Sequence, residues 1–164
     1  MTVMLRLAGY DIVFQEIPGE VTLALNISGC PNRCAGCHSP HLQQDIGELL
    51  DEGLLAGLLE TYGGSVTCVC FMGGDSDPAE VERLSLFIRS ETGNVLKTAW
   101  YSGNQDFPGR CSWKSFDFIK LGPYVQYLGG LDSPRTNQKF YRIKDGGVSD
   151  LTKSFLKNSG LRKQ

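Results

Sequence analysis

Three thiols and two imidazoles stand close together near the start of this 164-residue chain. Cys30, Cys34 and Cys37 have the spacing C-x3-C-x2-C, and His38 and His41 follow them. Thiolates are nucleophiles and soft metal ligands, and imidazole binds many of the same metals. Three unrelated core cysteines rarely share so short a stretch, so the segment predicts metal or redox chemistry.

Two kinds of site fit only part of this pattern. The residues from Cys34 to His38 match the haem-attachment spacing C-x-x-C-H. That site would leave Cys30 without a role, and the N-terminal residues lack the layout of an export signal. A C-x-x-C redox pair also leaves Cys30 unexplained and lacks a helix directly after the motif. We therefore set both aside.

Two other kinds of site use all three thiols. A Cys3His zinc site would add His38 or His41 and make the chain a non-catalytic interaction module. A [4Fe–4S] cluster held by three thiolates would leave one iron with an open coordination position, whereas the clusters of electron carriers take four cysteines. As in open zinc sites, an open position implies catalysis on a bound ligand. The spacing by itself leaves these two alternatives.

Apolar strands and amphipathic helices alternate along the chain. Strands are predicted at residues 21–27, 65–71, 95–101, 116–121 and 140–143. Helices are predicted at residues 48–62 and 77–93, with room for a further helix after Asp150. Such alternation predicts βα units and a mostly parallel sheet in an α/β fold.

A glycine-rich cluster, Gly73-Gly74-Asp75, follows the second of these strands, as the thiol segment follows the first. Ligands bind at the carboxyl ends of parallel strands, so both segments are expected at one edge of the sheet. Glycine there would let the backbone approach a ligand closely. The same residues also suit an ordinary turn before a helix capped by Asp77.

Five further side chains are assigned no chemistry. Cys68 and Cys70 alternate along a predicted strand and are expected to pack as small apolar residues. Cys111 lies in a polar stretch, and Lys97 and Lys120 are expected to be solvated.

Composition limits the class of protein. The chain has 41% hydrophobic and 21% charged residues and a formal net charge of −2, which predicts one folded domain over residues 1–164. It has no Lys/Arg run, which argues against a nucleic-acid partner. The longest uncharged apolar stretch, residues 21–27, is far shorter than the about 20 residues that span a membrane. We therefore expect a cytoplasmic protein with reduced thiols and no membrane partner.

These motifs together resemble a known family. A C-x3-C-x2-C motif after the first strand of a βα-repeat protein is the signature of the radical S-adenosylmethionine (radical SAM) superfamily. Several segments are similar to the anaerobic ribonucleoside-triphosphate reductase activating proteins, which are glycyl-radical enzyme activases. They lie at residues 11–19, 27–30, 71–75, 100–103, 116–122, 129–131, 136–138 and 140–143. The resemblance extends over most of the chain, from residue 5 to residue 145.

The resemblance implies a fold and a reaction. The fold would be a truncated open (βα) barrel of the radical SAM type, with mostly parallel strands. Cys30, Cys34 and Cys37 would ligate three irons of one [4Fe–4S] cluster per chain, and SAM would chelate the fourth. One electron would then cleave SAM to methionine and a 5′-deoxyadenosyl radical. This radical would take a hydrogen atom from the Cα of a glycine in a large partner enzyme.

The resemblance also implies the partners. The partner would be a large glycyl-radical enzyme, anaerobic ribonucleotide reductase in the first place. The electron would come from a low-potential donor such as a flavodoxin or a ferredoxin. The alternatives are an activase of another glycyl-radical enzyme, a radical SAM enzyme that acts on a small molecule, and the zinc module.

SAM contacts are implied at both glycine-containing segments. Backbone groups of Gly73 and Gly74 would approach the SAM ammonium. Asp75 would also contact SAM; it stands where the family more often has a glutamate, so its side chain is one methylene shorter.

The thiol segment also departs from the superfamily pattern. Many members have an aromatic residue before the third cysteine, and here that position is Gly36. The adenine is therefore expected near Gly36, Cys37 and His38, with Tyr101 as a further candidate.

Overall fold

The computed structural model describes residues 5–29 and 47–156. Eight strands are found there: β1 Arg6–Val13, β2 Thr22–Ile27, β3 Glu48–Leu49, β4 Cys68–Met72, β5 Lys97–Tyr101, β6 Phe118–Leu121, β7 Lys139–Lys144 and β8 Gly147–Asp150. The helices are α1 Glu52–Tyr62, α2 Pro78–Thr92 and a single 3-10 turn at Trp113–Ser115. All eight strands form one sheet in the order β3-β1-β2-β4-β5-β6-β7-β8.

The predicted truncated (βα) barrel with mostly parallel strands is wrong. The sheet is mixed, since β2–β4, β4–β5 and β5–β6 are parallel but the other four neighbouring pairs are antiparallel. A βα barrel needs a helix after each strand, and the described residues contain only α1 and α2 as helices of that kind. Strands joined by short connections must pair antiparallel, and this holds for β1–β2 and for β7–β8.

The start of the first helix also differs from the prediction. The helix was expected from residue 48, but Glu48 and Leu49 pair with β1 as the short strand β3. Helix α1 begins at Glu52 because the Asp51 carboxylate accepts a hydrogen bond from the Leu54 backbone N–H at 2.9 Å.

The predicted start of the second helix is confirmed. The Asp77 side chain accepts a hydrogen bond from the Glu80 backbone N–H at 3.3 Å, and Pro78 occupies the first helical position. Gly93 ends α2 in the left-handed conformation, with φ of 58°. The possible C-terminal helix falls at the end of the described residues, of which 153–156 are helical.

Each side of the sheet has its own cluster of buried side chains. The side that we call the helix face packs against α1 and α2, with Leu25, Phe71 and Trp100 fully buried there. Burying one such side chain contributes about 1.5–3 kcal/mol. The opposite side, the loop face, includes Cys70 and Phe140. No helix in the described ranges is long and apolar enough to cross a bilayer.

Candidate functional site

The carboxyl ends of β2, β4, β5 and β6 lie side by side in the parallel part of the sheet. We call this place the carboxyl edge. Asn26, Met72, Tyr101 and Lys120 are cross-strand neighbours there and form one row on the loop face. In parallel sheets this is the edge where ligands bind.

The predicted thiol segment begins directly after β2. Strand β2 ends at Ile27, and Gly29, with φ of 74°, is the last described residue before the gap. The predicted iron ligands and the adenine contacts within the segment lie outside the described residues; they are Cys30, Cys34, Gly36, Cys37 and His38.

The predicted Gly73-Gly74 turn lies at the end of β4, against β2 and α2. Both residues have positive φ, 113° and 93°. A Cβ on Gly73 would lie 2.9 Å from the carbonyl oxygen of Ile27, and a Cβ on Gly74 would lie 2.5 Å from Cγ2 of Val81. The Trp100 indole Nε1–H donates to the Gly73 carbonyl at 2.7 Å. Only glycine fits both positions without a shift of the neighbouring atoms.

Alanine at position 73 is expected to lower the free energy of unfolding by about 1–3 kcal/mol, because the positive φ and the close Ile27 carbonyl both oppose a side chain. Urea unfolding at constant m-value would measure this change. The control is Gly57→Ala on the exposed side of α1, where a Cβ meets nothing within 4 Å. That variant is expected to gain about 0.5–1 kcal/mol. Equal stability of Gly73→Ala and the wild type would contradict the geometry.

Asp75 connects the end of β4 to the end of β5. Its side chain is buried and accepts two hydrogen bonds, from Ser102 Oγ at 2.5 Å and from the Gly103 backbone N–H at 2.8 Å. The Ser102 hydroxyl oxygen in turn accepts a hydrogen bond from the Asn104 backbone N–H at 3.0 Å. This carboxylate therefore fixes the backbone that follows β5, a role that its motif did not predict.

Tyr101 faces the loop side of the sheet, and its hydroxyl donates a hydrogen bond to the Glu16 carbonyl. Burial raises the pKa of the Tyr101 phenol well above its usual value, so the hydroxyl stays protonated at neutral pH. Its ring lies 5.9 Å from the Lys120 ammonium, within the range of a cation–π contact.

Lys120 is half-buried, so its side chain is less solvated than expected. Its ammonium donates to the carbonyl oxygens of Ser102 at 3.3 Å and Gly122 at 3.1 Å, which places a cation at the carboxyl edge. Lys97 lies at the other end of β5 and pairs with the Glu20 carboxylate at 2.8 Å.

The predicted packing role of Cys68 and Cys70 is confirmed. Both side chains are fully buried on the loop face, and burial raises the pKa of both thiols. Protonated thiols are poor nucleophiles and poor metal ligands. Across the described residues, no group of three or more His, Cys, Asp or Glu side chains is arranged to hold a metal ion.

A polar segment, residues 136–138, lies beside the carboxyl edge and contacts the loop that follows β6. This structural role was not predicted from the sequence. Gln138 Nε2 donates to the Gly122 carbonyl at 3.4 Å, and Asn137 Nδ2 donates to the Pro123 carbonyl at 3.0 Å. Gly122 directly follows β6, so these contacts hold the loop beside Lys120. The signal available in the sequence was three consecutive polar residues directly before an apolar strand.

No protein-family model, curated protein or solved structure matches the chain. The motifs of this chain and the contacts at the carboxyl edge are therefore what indicate its function.

Proposed function

We propose that the chain is a radical SAM activase. It holds one [4Fe–4S] cluster through Cys30, Cys34 and Cys37, cleaves SAM reductively, and generates a glycyl radical on a partner enzyme, anaerobic ribonucleotide reductase in the first place. One observation carries the proposal. The C-x3-C-x2-C motif starts three residues after Ile27, the end of β2, and the Gly73 turn ends the neighbouring parallel strand.

The residues fit the cluster and SAM on two grounds. Three thiolates in one segment are the soft ligands that iron–sulfur clusters use, and three rather than four leave one iron for SAM. The turn at Gly73 and Gly74 lies at the carboxyl end of the parallel strand next to β2, which is the place where ligands of such sheets bind. When bound, the cluster and SAM supply a one-electron cleavage that produces an oxidising carbon radical.

The residues of this chain position the ligand. Asp75 holds the end of β4 to Ser102 and Gly103 and so keeps the glycine turn in place. Lys120 places a positive charge at the same edge, where it attracts a ligand carboxylate. Tyr101 stays protonated and fixed by its hydrogen bond to Glu16, so it supplies an apolar ring there. Radical chemistry needs no general base from the protein, and protection of the intermediate from water is the main demand.

A macromolecular substrate agrees with the open sheet. Strands β3 and β8 are the two edge strands of the sheet. In the described residues they do not pair with each other, so the sheet does not close into a barrel. A closed wall of strands would enclose a small substrate, whereas an open edge admits a loop of a partner protein. The substrate in this proposal is therefore the backbone of a glycine-containing loop.

Product analysis tests the proposal. The protein is reconstituted with iron and sulfide without oxygen, then incubated with SAM and dithionite. The expected products are 5′-deoxyadenosine and methionine in equal amounts, with none when dithionite is omitted. A protein that binds zinc in place of iron and leaves SAM intact would overturn the proposal in favour of the Cys3His module.

A further inference from the structure

Four aromatic side chains form a continuous series of ring contacts on the helix face. The Trp100 and Phe107 ring centroids are 6.0 Å apart, and those of Phe107 and Trp113 are 4.6 Å apart with nearly parallel rings. The Trp113 and Tyr141 centroids are 5.3 Å apart. We call these four residues the aromatic path. All three distances lie within the range of direct aromatic contact.

The two ends of the aromatic path lie in different surroundings. Trp100 is fully buried, and its indole N–H donates to the carbonyl of Gly73 at the carboxyl edge. Tyr141 is half-buried on β7, where Asp150 is its cross-strand neighbour. The path therefore begins beneath the carboxyl edge, on the helix face, and ends at a side chain that reaches solvent.

Three of the four residues in the aromatic path, the two tryptophans and the tyrosine, are of the types that lose an electron most readily. Indole and phenol side chains can each give up one electron, and a phenol forms a stable neutral radical when it also loses its proton. The chain has only two tryptophans, and both belong to the path. Phe107 is not oxidised itself but places its ring between the two indoles.

We propose that Trp100, Phe107, Trp113 and Tyr141 carry an oxidising equivalent from the carboxyl edge to Tyr141. The oxidant is a carbon-centred radical at that edge, and in this respect the inference rests on the proposed function. The carbon radical gains one electron through Trp100 and one proton from solvent water and becomes a C–H group. Tyr141 loses one electron and passes its phenolic proton to solvent, while each indole gives up an electron and regains one. The transfer thus removes the carbon radical before it oxidises residues at the carboxyl edge, when no partner supplies a hydrogen atom.

Pulse radiolysis of the full chain, without cluster or SAM, tests the transfer itself. An azide radical takes one electron from an indole and becomes azide, and the indole proton goes to water. The expected result is decay of the indolyl radical matched by growth of the tyrosyl radical, at a rate independent of protein concentration. A rate that scales with protein concentration would overturn the inference, because the transfer would then occur between molecules.

Two substitutions that keep a ring at each position identify the route. Tyr141→Phe and Trp113→Phe are each expected to lose the concentration-independent phase, with far-ultraviolet circular dichroism as the check on folding. Tyr127→Phe is the matched control, because Tyr127 is 75% exposed and lies outside the path. Retention of the phase in Tyr141→Phe, or its loss in Tyr127→Phe, would contradict the assignment. Since no cofactor takes part, this outcome is separate from the success or failure of the proposed SAM chemistry.

Discussion

Serine in place of Cys34 is expected to abolish cluster assembly and SAM cleavage while leaving the sheet folded. An alkoxide is a harder ligand than a thiolate, and two remaining thiolates leave the cluster without its third anchor. The wild type should bind about four irons per chain after reconstitution, and Cys34→Ser should retain only background iron. Iron and sulfide analysis, together with 5′-deoxyadenosine measurement, gives both readouts on one sample.

Cys111→Ser is the matched control for this substitution. Cys111 is a half-buried thiol outside the motif, with its Sγ 3.6 Å from the Pro78 carbonyl. The Cys111→Ser protein should keep the iron content of the wild type. A Cys34→Ser protein that still forms 5′-deoxyadenosine would remove Cys34 from the ligand set. Equal iron loss in both variants would mean that any lost thiol disturbs assembly, which the ligand assignment does not predict.

Alanine in place of Asp75 is expected to lower the free energy of unfolding by about 2–4 kcal/mol, since two charge-assisted hydrogen bonds are lost. The change leaves the Ser102 hydroxyl and the Gly103 N–H without the carboxylate acceptor that they have in the folded protein. The turn at Gly73 and the backbone after β5 would then lose the carboxylate that connects them. Urea unfolding of the unloaded protein under reducing conditions measures this effect.

Asp106→Ala controls for the loss of a carboxylate in the same part of the chain. Asp106 is exposed, and its replacement should change stability by no more than about 0.5 kcal/mol. A stable Asp75→Ala protein would contradict the structural role assigned to this carboxylate. In that case the side chain would be available for the direct SAM contact that the family resemblance implies.

Features encoded by adjacent residues could be predicted from the sequence. The start of α2 follows from Asp77, Pro78 and Glu80, which act within a single turn of the chain. The turn after β4 is also encoded locally, because Gly73 and Gly74 adopt positive φ, which glycine tolerates best.

The pairing of the outer strands could not be predicted in the same way. Strand β1 shifts register between Leu7 and Gly9, which interrupts the alternation by which a strand is recognised. All four residues of β8 are exposed, so no apolar periodicity marks it. The alternation of strands and helices predicts only the central βα units, and the antiparallel outer strands overturn the barrel that the family resemblance implies.

The hydrogen-bond partners of Asp75 and Trp100 could not be predicted from the sequence, because they join residues that are far apart along the chain. Asp75 and Ser102 are far apart in sequence and meet only because β4 and β5 pair in the register that places Met72 beside Tyr101. The same pairing brings the Trp100 indole to the Gly73 carbonyl. A motif can show that a carboxylate follows a glycine pair, but the partner of that carboxylate depends on the register of the sheet.

In the proposed function, three thiolates hold a cluster with one iron open to SAM. The most direct measurement is electron paramagnetic resonance of the reconstituted, dithionite-reduced protein, recorded with and without SAM. If the cluster is held in this way, we expect a reduced [4Fe–4S] signal whose g-values change when SAM is added. A spectrum that SAM does not alter, or a protein that carries one zinc and no iron, would contradict it.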